Sequence, residues 1–332
     1  MALNPSYKRV ASMLTRRSLV LSSLAAATSA TAQTYPARPI RMIVPFPPAG
    51  PIDTMARLLG QQLSARFGQQ VVIDNRPGAG SMLGTKAAAS AEPDGYTLLF
   101  GSSGSLAVAP ALYSGYDLDI LKAFVPVGAV ALLPHVMVVA NAVPARSVAE
   151  FIAYAKANPG KLNYGASLGT PPHLLSTLFK SKAGIDVVYV PYKGSAASVT
   201  DLLGGQTQFT IDGLTGLYPL IQDGKVRPLA IARAQRWPDL PDVPTLVESG
   251  FPDFTVDAWT GVAAPAGTPA AIVDTLNRAI NQSLGTAEAK ADLARFSDIA
   301  QTGSPQDFAA LVATELPKWA AIVKLAGARI DP

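Results

Sequence analysis

One serine of the chain lies in a motif typical of hydrolases. Gly165, Ser167 and Gly169 fit the G-x-S-x-G pattern, in which a strand ends in a sharp turn that exposes a serine nucleophile. Such an enzyme also needs an acid and a histidine, in the order serine, acid, histidine. His135 precedes Ser167, and His173 follows it by six residues with no acidic residue between them. A secreted serine hydrolase that uses Ser167 is therefore kept only as an alternative hypothesis.

A second motif resembles a dinucleotide fingerprint. Gly78, Gly80 and Gly84 are spaced G-x-G-x-x-x-G, so the third glycine comes one residue late, and no acidic residue ends a following strand. A tight turn before a helix explains these glycines better. Two histidines without nearby acidic pairs do not make a metal site, and the absence of cysteine excludes disulfides and zinc-thiolate sites. We expect no cofactor, no metal and no catalytic residue.

Four corners rich in small residues follow predicted strands, each just before a helix. Unpaired backbone N–H groups and hydroxyls favour an anion at such a place, because the helix dipole is positive there. One corner alone is more often an ordinary turn, so the prediction of a carboxylate site depends on finding four. The predicted contacts, corner by corner, are Phe46, Pro48, Ala49 and Gly50; Ser102 and Ser103; Ser167, Gly169 and Thr170; Tyr192, Lys193, Gly194 and Ser195.

Five side chains, one of them Phe46, each have two interpretations. Asp53 either caps the first helix, which we favour, or contacts the ligand. His173 either donates a hydrogen bond to the ligand or packs at the start of its helix. Asp212 ends a strand at the expected cleft, where it could select against a second carboxylate or accept an amine. Phe46 and Trp259 could be apolar walls of that cleft, although core packing is the more usual position of an aromatic ring.

The elements that must position these corners alternate between strand and helix. Residues 40–44 predict a buried strand, residues 45–50 end it with proline and glycine, and residues 52–63 have apolar residues at helical spacing. The same order returns over residues 71–100 and again after Pro134. This alternation predicts an α/β fold with mostly parallel sheets.

The apolar stretch 124–140 marks the end of the first half. Pro126 and Pro134 exclude one continuous helix, so we predict two strands, with the chain crossing between lobes near Pro134 and returning over residues 254–267. Two α/β lobes with two crossings suit hinge closure around a small molecule. The predicted lobes are residues 33–132 with 254–332, and residues 133–253.

Capping residues predict where two helices begin. Ser147 with Glu150 indicates a capping box, and Ser304 with Asp307 indicates the start of the last helix, which we expect to continue to Leu325. Both helices after the second crossing are expected to pack on the first lobe.

The N-terminal residues have the pattern of an export signal. Arg16 and Arg17 precede a short apolar run, and a small-x-small site predicts cleavage after Ala32. Twin-arginine and ordinary secretory export both fit, and either places the protein in the periplasm. Residues 1–32 contain four basic and no acidic residue, which leaves 23 basic and 23 acidic residues in the mature chain. No dense basic run remains for nucleic-acid binding.

Five segments of the mature chain together resemble the Bug family, the periplasmic receptors of tripartite tricarboxylate transporters. These segments are VPFPPAGPIDTMAR, IDNRPGAGSMLGTKAAASAEPDGYTLLF, NYGASLGTPPHL, VPYKGSAASVTDLLGGQ and GVAAPAGTPAAIVDTLN. The resemblance implies a two-lobed, type II-like Venus flytrap fold of the periplasmic-binding-protein kind, which binds a small carboxylate and delivers it to membrane permease subunits.

The resemblance also implies which corners bind the ligand. In the family, the corners that match 45–53 and 192–195 grip a ligand carboxylate, partly through ordered waters. This chain has Ala49-Gly50 where the family usually has Gly-Gly. We expect the added methyl group either to alter the waters or to restrict Ala49 to a negative φ.

The sequence thus favours an exported, monomeric receptor for a small organic acid, without catalysis. Besides the hydrolase, a component that presents its ligand to a membrane sensor remains an alternative. The kind of acid stays open among dicarboxylates, aromatic acids and amino acids.

Overall fold

A computed structural model describes residues 35–252 and 254–330. The predicted export signal, residues 1–32, lies outside the described residues. Both sheets of the fold belong to one compact unit that begins at Arg38. None of the helices in the described ranges combines the length and the apolar character needed to span a bilayer.

The first part of the chain alternates strand and helix, as its apolar pattern predicts. A π-helical segment, Gly104–Val108, follows the third strand directly. The elements are β1 (Ile40–Val44), α1 (Pro51–Phe67), β2 (Val71–Asn75), α2 (Met82–Ala89), β3 (Thr97–Ser102), α3 (Ala109–Leu112), α4 (Ile120–Ala123) and β4 (Phe124–Leu133).

The alternation restarts after Pro134 and continues to the last helix. The elements are β5 (His135–Ala140), α5 (Val148–Ala157), β6 (Leu162–Ala166), α6 (Pro171–Ala183), β7 (Val187–Pro191), α7 (Ser195–Leu203), β8 (Phe209–Gly213), α8 (Leu214–Gln222), β9 (Val226–Ile231), β10 (Ala258–Pro265), α9 (Ala270–Leu284), α10 (Ala287–Ala294), β11 (Ile299–Ala300) and α11 (Pro305–Ala326).

The strands form two sheets, which confirms the two-lobed α/β fold. The first sheet has the strand order β11-β4-β10-β3-β1-β2, and the second has the order β7-β6-β8-β5-β9. The chain leaves the first sheet at Pro134, between β4 and β5, and returns between β9 and β10. Proline has no N–H to give to a strand ladder, which suits it to the point where one strand ends and the next begins.

The prediction of mostly parallel sheets is wrong, because both sheets are mixed. Strands joined through a helix pair in parallel, namely β1 with β2 and β3, and β6 with β7 and β8. The strands next to the crossings pair antiparallel, namely β10 with β3 and β4, and β5 with β8 and β9. Strand β10 returns from the other lobe and runs opposite to its neighbours β3 and β4. The strand–helix–strand connections within a lobe, by contrast, produce parallel pairs.

Parallel pairing determines where the corners meet. The carboxyl ends of β1, β2 and β3 lie at one edge of the first sheet, and those of β6, β7 and β8 lie at one edge of the second. Each of these ends leads into a loop or a helix start. The fold therefore gathers the predicted corners into two groups, one in each lobe.

The terminal helices pack differently from the expectation. The capping box of Ser304 and Asp307 opens α11 as predicted. Helix α9 packs on β4 and α1 of the first lobe, but α11 contacts β4 and also α6 of the second lobe. A helix of 22 residues spans about 33 Å, which is long enough to reach both.

Candidate functional site

A cavity of about 370 Å³ lies between the strand-end corners of the two lobes. The first lobe contributes wall residues from 45–47, 77–81 and 104–113, and the second lobe contributes 168–171. A volume of this size is ordinary for a site that holds a small molecule. None of the residues that line it carries a charge. A ligand there would be held by hydroxyls, backbone groups and apolar contacts.

Three of the predicted site residues, Phe46, Gly169 and Thr170, line this cavity. Their positions confirm neither a ligand nor a role, and the ligand contacts stay a prediction. The predicted residues that are not part of its wall are Pro48, Ala49, Gly50, Asp53, Ser102, Ser103, Ser167, His173, Tyr192, Lys193, Gly194, Ser195 and Asp212.

Asp53 holds the first corner in shape. Its Oδ2 accepts hydrogen bonds from the Ala49 N–H (2.8 Å) and from Arg57 Nε (2.9 Å), while its Oδ1 accepts one from Asn75 Nδ2 (2.8 Å). Burial opposes ionisation of this carboxyl, but the hydrogen bonds from Arg57, Asn75 and Ala49 outweigh it and lower its pKa. Asp53 thus reaches back from the start of α1, as the capping interpretation expects, but it bonds Ala49 before the N-cap residue Gly50.

Asn75 is a positioning residue that the sequence analysis did not identify. It ends β2, beside the end of β1, and its Nδ2 donates to Phe46 O (3.1 Å) as well as to Asp53. Because one amide group bonds both sides of the first corner, it fixes where Phe46 meets the cavity. The sequence gives no local signal for this, since Asn75 lies 22 residues from Asp53.

The corner after β2, residues 78–81, also forms part of the cavity wall, although the sequence analysis interpreted it as a turn. Gly78, Ala79, Gly80 and Ser81 all have positive φ, at 129°, 45°, 59° and 79°. Ser81 is 5% exposed, and its Oγ has no hydrogen-bond partner among the described residues. A Cβ at Gly80 would overlap the ring and hydroxyl of Tyr113, so glycine is required there.

Ser102 and Ser103 are buried behind the wall of the cavity. Strand β3 continues through Ser102, and the π-helical segment begins two residues later. The Ser105 hydroxyl accepts a hydrogen bond from the Ser102 N–H (2.9 Å) and lies 3.2 Å from Ser102 O, to which it can donate. Of this corner, Gly104 reaches the cavity.

The corner after β6 carries the serine of the hydrolase-like motif. Ser167 Oγ is buried without a hydrogen-bond partner in the described part of the chain. Gly169 has a φ of 75°, and Thr170 Oγ1 donates to Ser167 O (2.6 Å). A serine nucleophile needs a base within hydrogen-bond reach, and no such base is bonded to Ser167 here.

Two buried ionisable side chains lie behind the corners of the second lobe. His173 Nδ1 accepts a hydrogen bond from the Gly169 N–H (3.3 Å), and its ring lies 4.4 Å from that of Tyr189. Burial lowers the pKa of His173, so the structure favours packing of a neutral imidazole. Burial raises the pKa of Asp212 to about 6, and the Gly213 N–H donates to its Oδ1 (2.7 Å).

The corner after β7 lies beside the corner after β6 but outside the cavity wall. The Tyr192 N–H donates to Ala166 O (3.0 Å), and its hydroxyl donates to Asp201. The bond to Asp201 raises the pKa of Tyr192 to about 12. Lys193 and Ser195 are exposed.

The two aromatic residues that were candidates for cleft walls lie in different places. Phe46 is half-buried on the interlobe cavity. Trp259 is 1% exposed, packs edge-on against Phe308 at a ring distance of 5.5 Å, and lines a separate cavity of about 440 Å³ beside α11. Trp259 therefore belongs to the core of the first lobe.

The family model described as "Tripartite tricarboxylate transporter family receptor" matches residues 55–328 of the chain. The chain belongs to this family. Among curated proteins, the receptor is 40% identical over 309 residues to BugT of Bordetella pertussis, which covers 92% of this chain and 94% of BugT.

Two solved structures with ligands resemble the receptor over most of its length. One, of R. palustris Rpa4515 with adipate, is 38% identical with a TM-score of 0.77 and covers 88% of this chain and 98% of that one. The other, of MatC from Rhodopseudomonas palustris with bound malate, is 32% identical with a TM-score of 0.73. It covers 87% of the receptor and all of MatC.

Ala49 of the receptor has a left-handed backbone conformation that favours glycine. The expectation of a negative φ is wrong, because Ala49 has a φ of 63°. The hydrogen bond from its N–H to Asp53 and the contacts of Asn75 hold the turn despite the methyl group. A left-handed residue with a Cβ costs about 1 kcal/mol relative to glycine.

We expect Ala49→Gly to raise the free energy of unfolding of the empty receptor, by up to about 1 kcal/mol, because glycine removes this strain. Urea denaturation measures the change. The control is Ala65→Gly at an exposed position of α1, where glycine should instead lower the free energy by about 0.5–1 kcal/mol. Equal losses in both variants would contradict the interpretation of Ala49 as strained.

Proposed function

We propose that the protein is an exported receptor that captures a small carboxylate between its lobes and delivers it to the membrane permease of a tripartite tricarboxylate transporter. The observation that carries this proposal is the uncharged cavity bounded by strand-end corners of both lobes. Membership of the receptor family supports it. When the two lobes close on a ligand, the loaded receptor differs in shape from the empty one, and a permease can distinguish the two.

The proposed ligand is a straight-chain dicarboxylate. Two related structures hold adipate and malate, which are both dicarboxylates. The wall of the cavity has both apolar and hydroxyl-bearing residues, such as Val108, Leu112, Ser81 and Thr170, which suits an acid with an aliphatic middle. The walls contain no acidic side chain that would favour an amine.

The proposed lobes are residues 33–132 with 254–332, and residues 133–253. The receptor is proposed to act in the periplasm as a monomer after cleavage behind Ala32. We also propose that it catalyses no reaction. Ser167 Oγ has no hydrogen-bonded base in the described residues, and the nearby His173 Nδ1 accepts from Gly169.

Isothermal titration of the processed protein with succinate, malate, adipate, benzoate and glutamate tests the proposal. We expect one-site binding of at least one dicarboxylate at micromolar concentration or tighter, and no turnover of a p-nitrophenyl ester. Silence towards succinate, malate and adipate would overturn the proposed ligand class, whether or not benzoate or glutamate binds. Ester turnover that Ser167→Ala removes would overturn the absence of catalysis.

A further inference from the structure

We propose that the hydroxyl groups of Ser81 and Tyr113 form a subsite for one carboxylate of a dicarboxylate ligand, at the corner after β2. The inference rests on the proposed function and deepens it, because it assigns the recognition of a second acidic group to named side chains. Gly78, Gly80, Ser81 and Tyr113 all belong to the wall of the interlobe cavity.

The unpaired hydroxyl of Ser81 indicates a missing partner. Its side chain is 95% buried, yet no donor or acceptor among the described residues bonds to its Oγ. Leaving a buried hydroxyl unpaired is unfavourable, so folded proteins pair such groups with protein, water or ligand. The Ser81 carbonyl, by contrast, accepts a bond from Thr85 Oγ1 (2.9 Å). Its hydroxyl is thus a buried polar group, without a partner in the described part of the chain, on a residue of the cavity wall.

Tyr113 brings a second hydroxyl to the same place. It follows α3 in the first lobe, and its ring and hydroxyl lie directly over the Cα of Gly80, where a Cβ would overlap them. The hydroxyl of Tyr113 therefore lies beside Gly80, which is the residue before Ser81. One phenolic and one alcoholic O–H on the same wall can each donate to one oxygen of a carboxylate.

The charge of the surroundings favours a carboxylate over an amine. No acidic or basic side chain lines the cavity. The N-terminus of α2, a helix of eight residues, begins at Met82 next to Ser81 and carries a partial positive charge. The N–H of Met82 is already bonded to Ala79 O, so the hydroxyls, rather than the helix amides, supply the donors.

The backbone of this corner is strained at two residues. Ala79 and Ser81 are left-handed residues with a Cβ, which is an unfavourable conformation for both. Ser81 belongs to the cavity wall, and its carbonyl accepts the hydrogen bond from Thr85. Replacing Ser81 by glycine would relieve strain and remove the hydroxyl together, which separates folding from binding in a test.

The experiment compares each dicarboxylate with the monocarboxylate of equal chain length. Succinate, glutarate and adipate are titrated beside butyrate, pentanoate and hexanoate into the wild type, Ser81→Gly, Ser81→Ala and Tyr113→Phe. We expect the Ser81 variants to bind the preferred dicarboxylate about tenfold more weakly, since a hydrogen bond to a charged group is lost. The matching monocarboxylate should change less than about twofold, on the same ground. Tyr113→Phe should lose affinity in the same selective way.

Thermal melting of the empty variants shows whether each variant remains folded at the temperature of the titration. We expect Ser81→Gly to melt at or above the temperature of the wild type, so that its weaker binding cannot be assigned to unfolding. Ser90→Ala, at the exposed far end of α2, is the control that should leave both ligands unchanged.

Two outcomes separate this inference from the proposed function. If the wild type binds a dicarboxylate and the Ser81 variants lose nothing, or lose equal affinity for both members of a pair, the subsite is wrong and the receptor function stands. If the wild type binds none of the six acids, the proposed ligand class fails together with the subsite.

Discussion

Gly169→Val is expected to weaken dicarboxylate binding by at least about a hundredfold, because this residue of the second lobe lies directly against Leu112 of the first lobe at the cavity. A Cβ at Gly169 would overlap the side chain of Leu112 and lie 3.3 Å from Ile330 Cδ1. Its φ of 75° is also one that valine adopts only with strain. The variant should hold the lobes apart at the corner after β6, so that a ligand touches one lobe and not both.

Titration calorimetry with the preferred dicarboxylate measures this loss. The matched control is Gly216→Val in α8, which is exposed and has open space around its Cα. Affinity there should stay within about twofold of the wild type. Circular dichroism melting of both empty variants verifies that they are folded at the titration temperature. Binding by Gly169→Val within threefold of the wild type would show that the lobes need not meet at this corner.

Local sequence patterns sufficed for most of the helices and strands. The apolar runs, the Pro45–Gly50 corner and the Ser304 capping box reflect interactions within a few residues of each other, which a sequence displays directly. The break between β4 and β5 at Pro134 suits a residue that has no N–H for a strand ladder. By contrast, the antiparallel entry of β10 beside β4 depends on the pairing of Ala258 with Leu133, which is a long-range contact. Strand direction in that part of the sheet has no local signature.

The candidate site was predictable in its general location and not in its walls. Strand-end corners were identified from composition, and residues of the corners after β1, β3 and β6 line one cavity, whereas the corner after β7 lies outside its wall. Burial decides which residues of a corner reach it, and burial depends on neighbours remote in sequence. Ser102 and Ser103 are buried where β3 ends and the π-helical segment begins at Gly104, whereas Gly104 itself reaches the wall.

The corner after β2 was missed for a different reason. Left-handed backbone at Ala79 and Ser81 is unfavourable for those residue types, so no propensity predicts it. Its glycines indicated a turn, but the unpaired hydroxyl of Ser81 is a tertiary property. The signal available in the sequence was its equivalence to the other corners, since residues 77–81 also stand between a strand and a helix. Ala49 shows the same limit, because Asp53 and Asn75 impose its conformation.

The second large effect concerns Asp298, which is expected to make the receptor less stable as the pH rises. This carboxyl is 6% exposed between α10 and β11. Burial raises its pKa to about 7 from an ordinary value of 3.8, and the hydrogen bond from Thr215 Oγ1 (3.4 Å) offsets this only in part. Thr215 belongs to α8 of the second lobe, so the buried carboxyl also lies at a contact between the lobes.

The direction of the effect follows from which state binds the proton more tightly. Between pH 3.8 and about 7 the unfolded chain has already lost the proton that the folded state keeps, so the free energy of unfolding falls across this interval. Above pH 7 the folded state must bury the carboxylate anion. We therefore expect Asp298→Asn to be more stable than the wild type by about 2 kcal/mol at pH 8 and equal to it near pH 4.

Urea denaturation of both proteins from pH 4 to pH 8 measures this difference, and asparagine can still accept the hydrogen bond from Thr215. Asp307→Asn is the control of opposite sign. The bonds of Asp307 to Ser304 lower its pKa, so its loss should destabilise the receptor at pH 8 and matter less as its carboxyl becomes protonated in acid. If Asp298→Asn has the same pH profile as the wild type, Asp298 is not the group that titrates. A gain at pH 8 that vanishes at pH 4 would assign the loss of stability to the burial of this one anion.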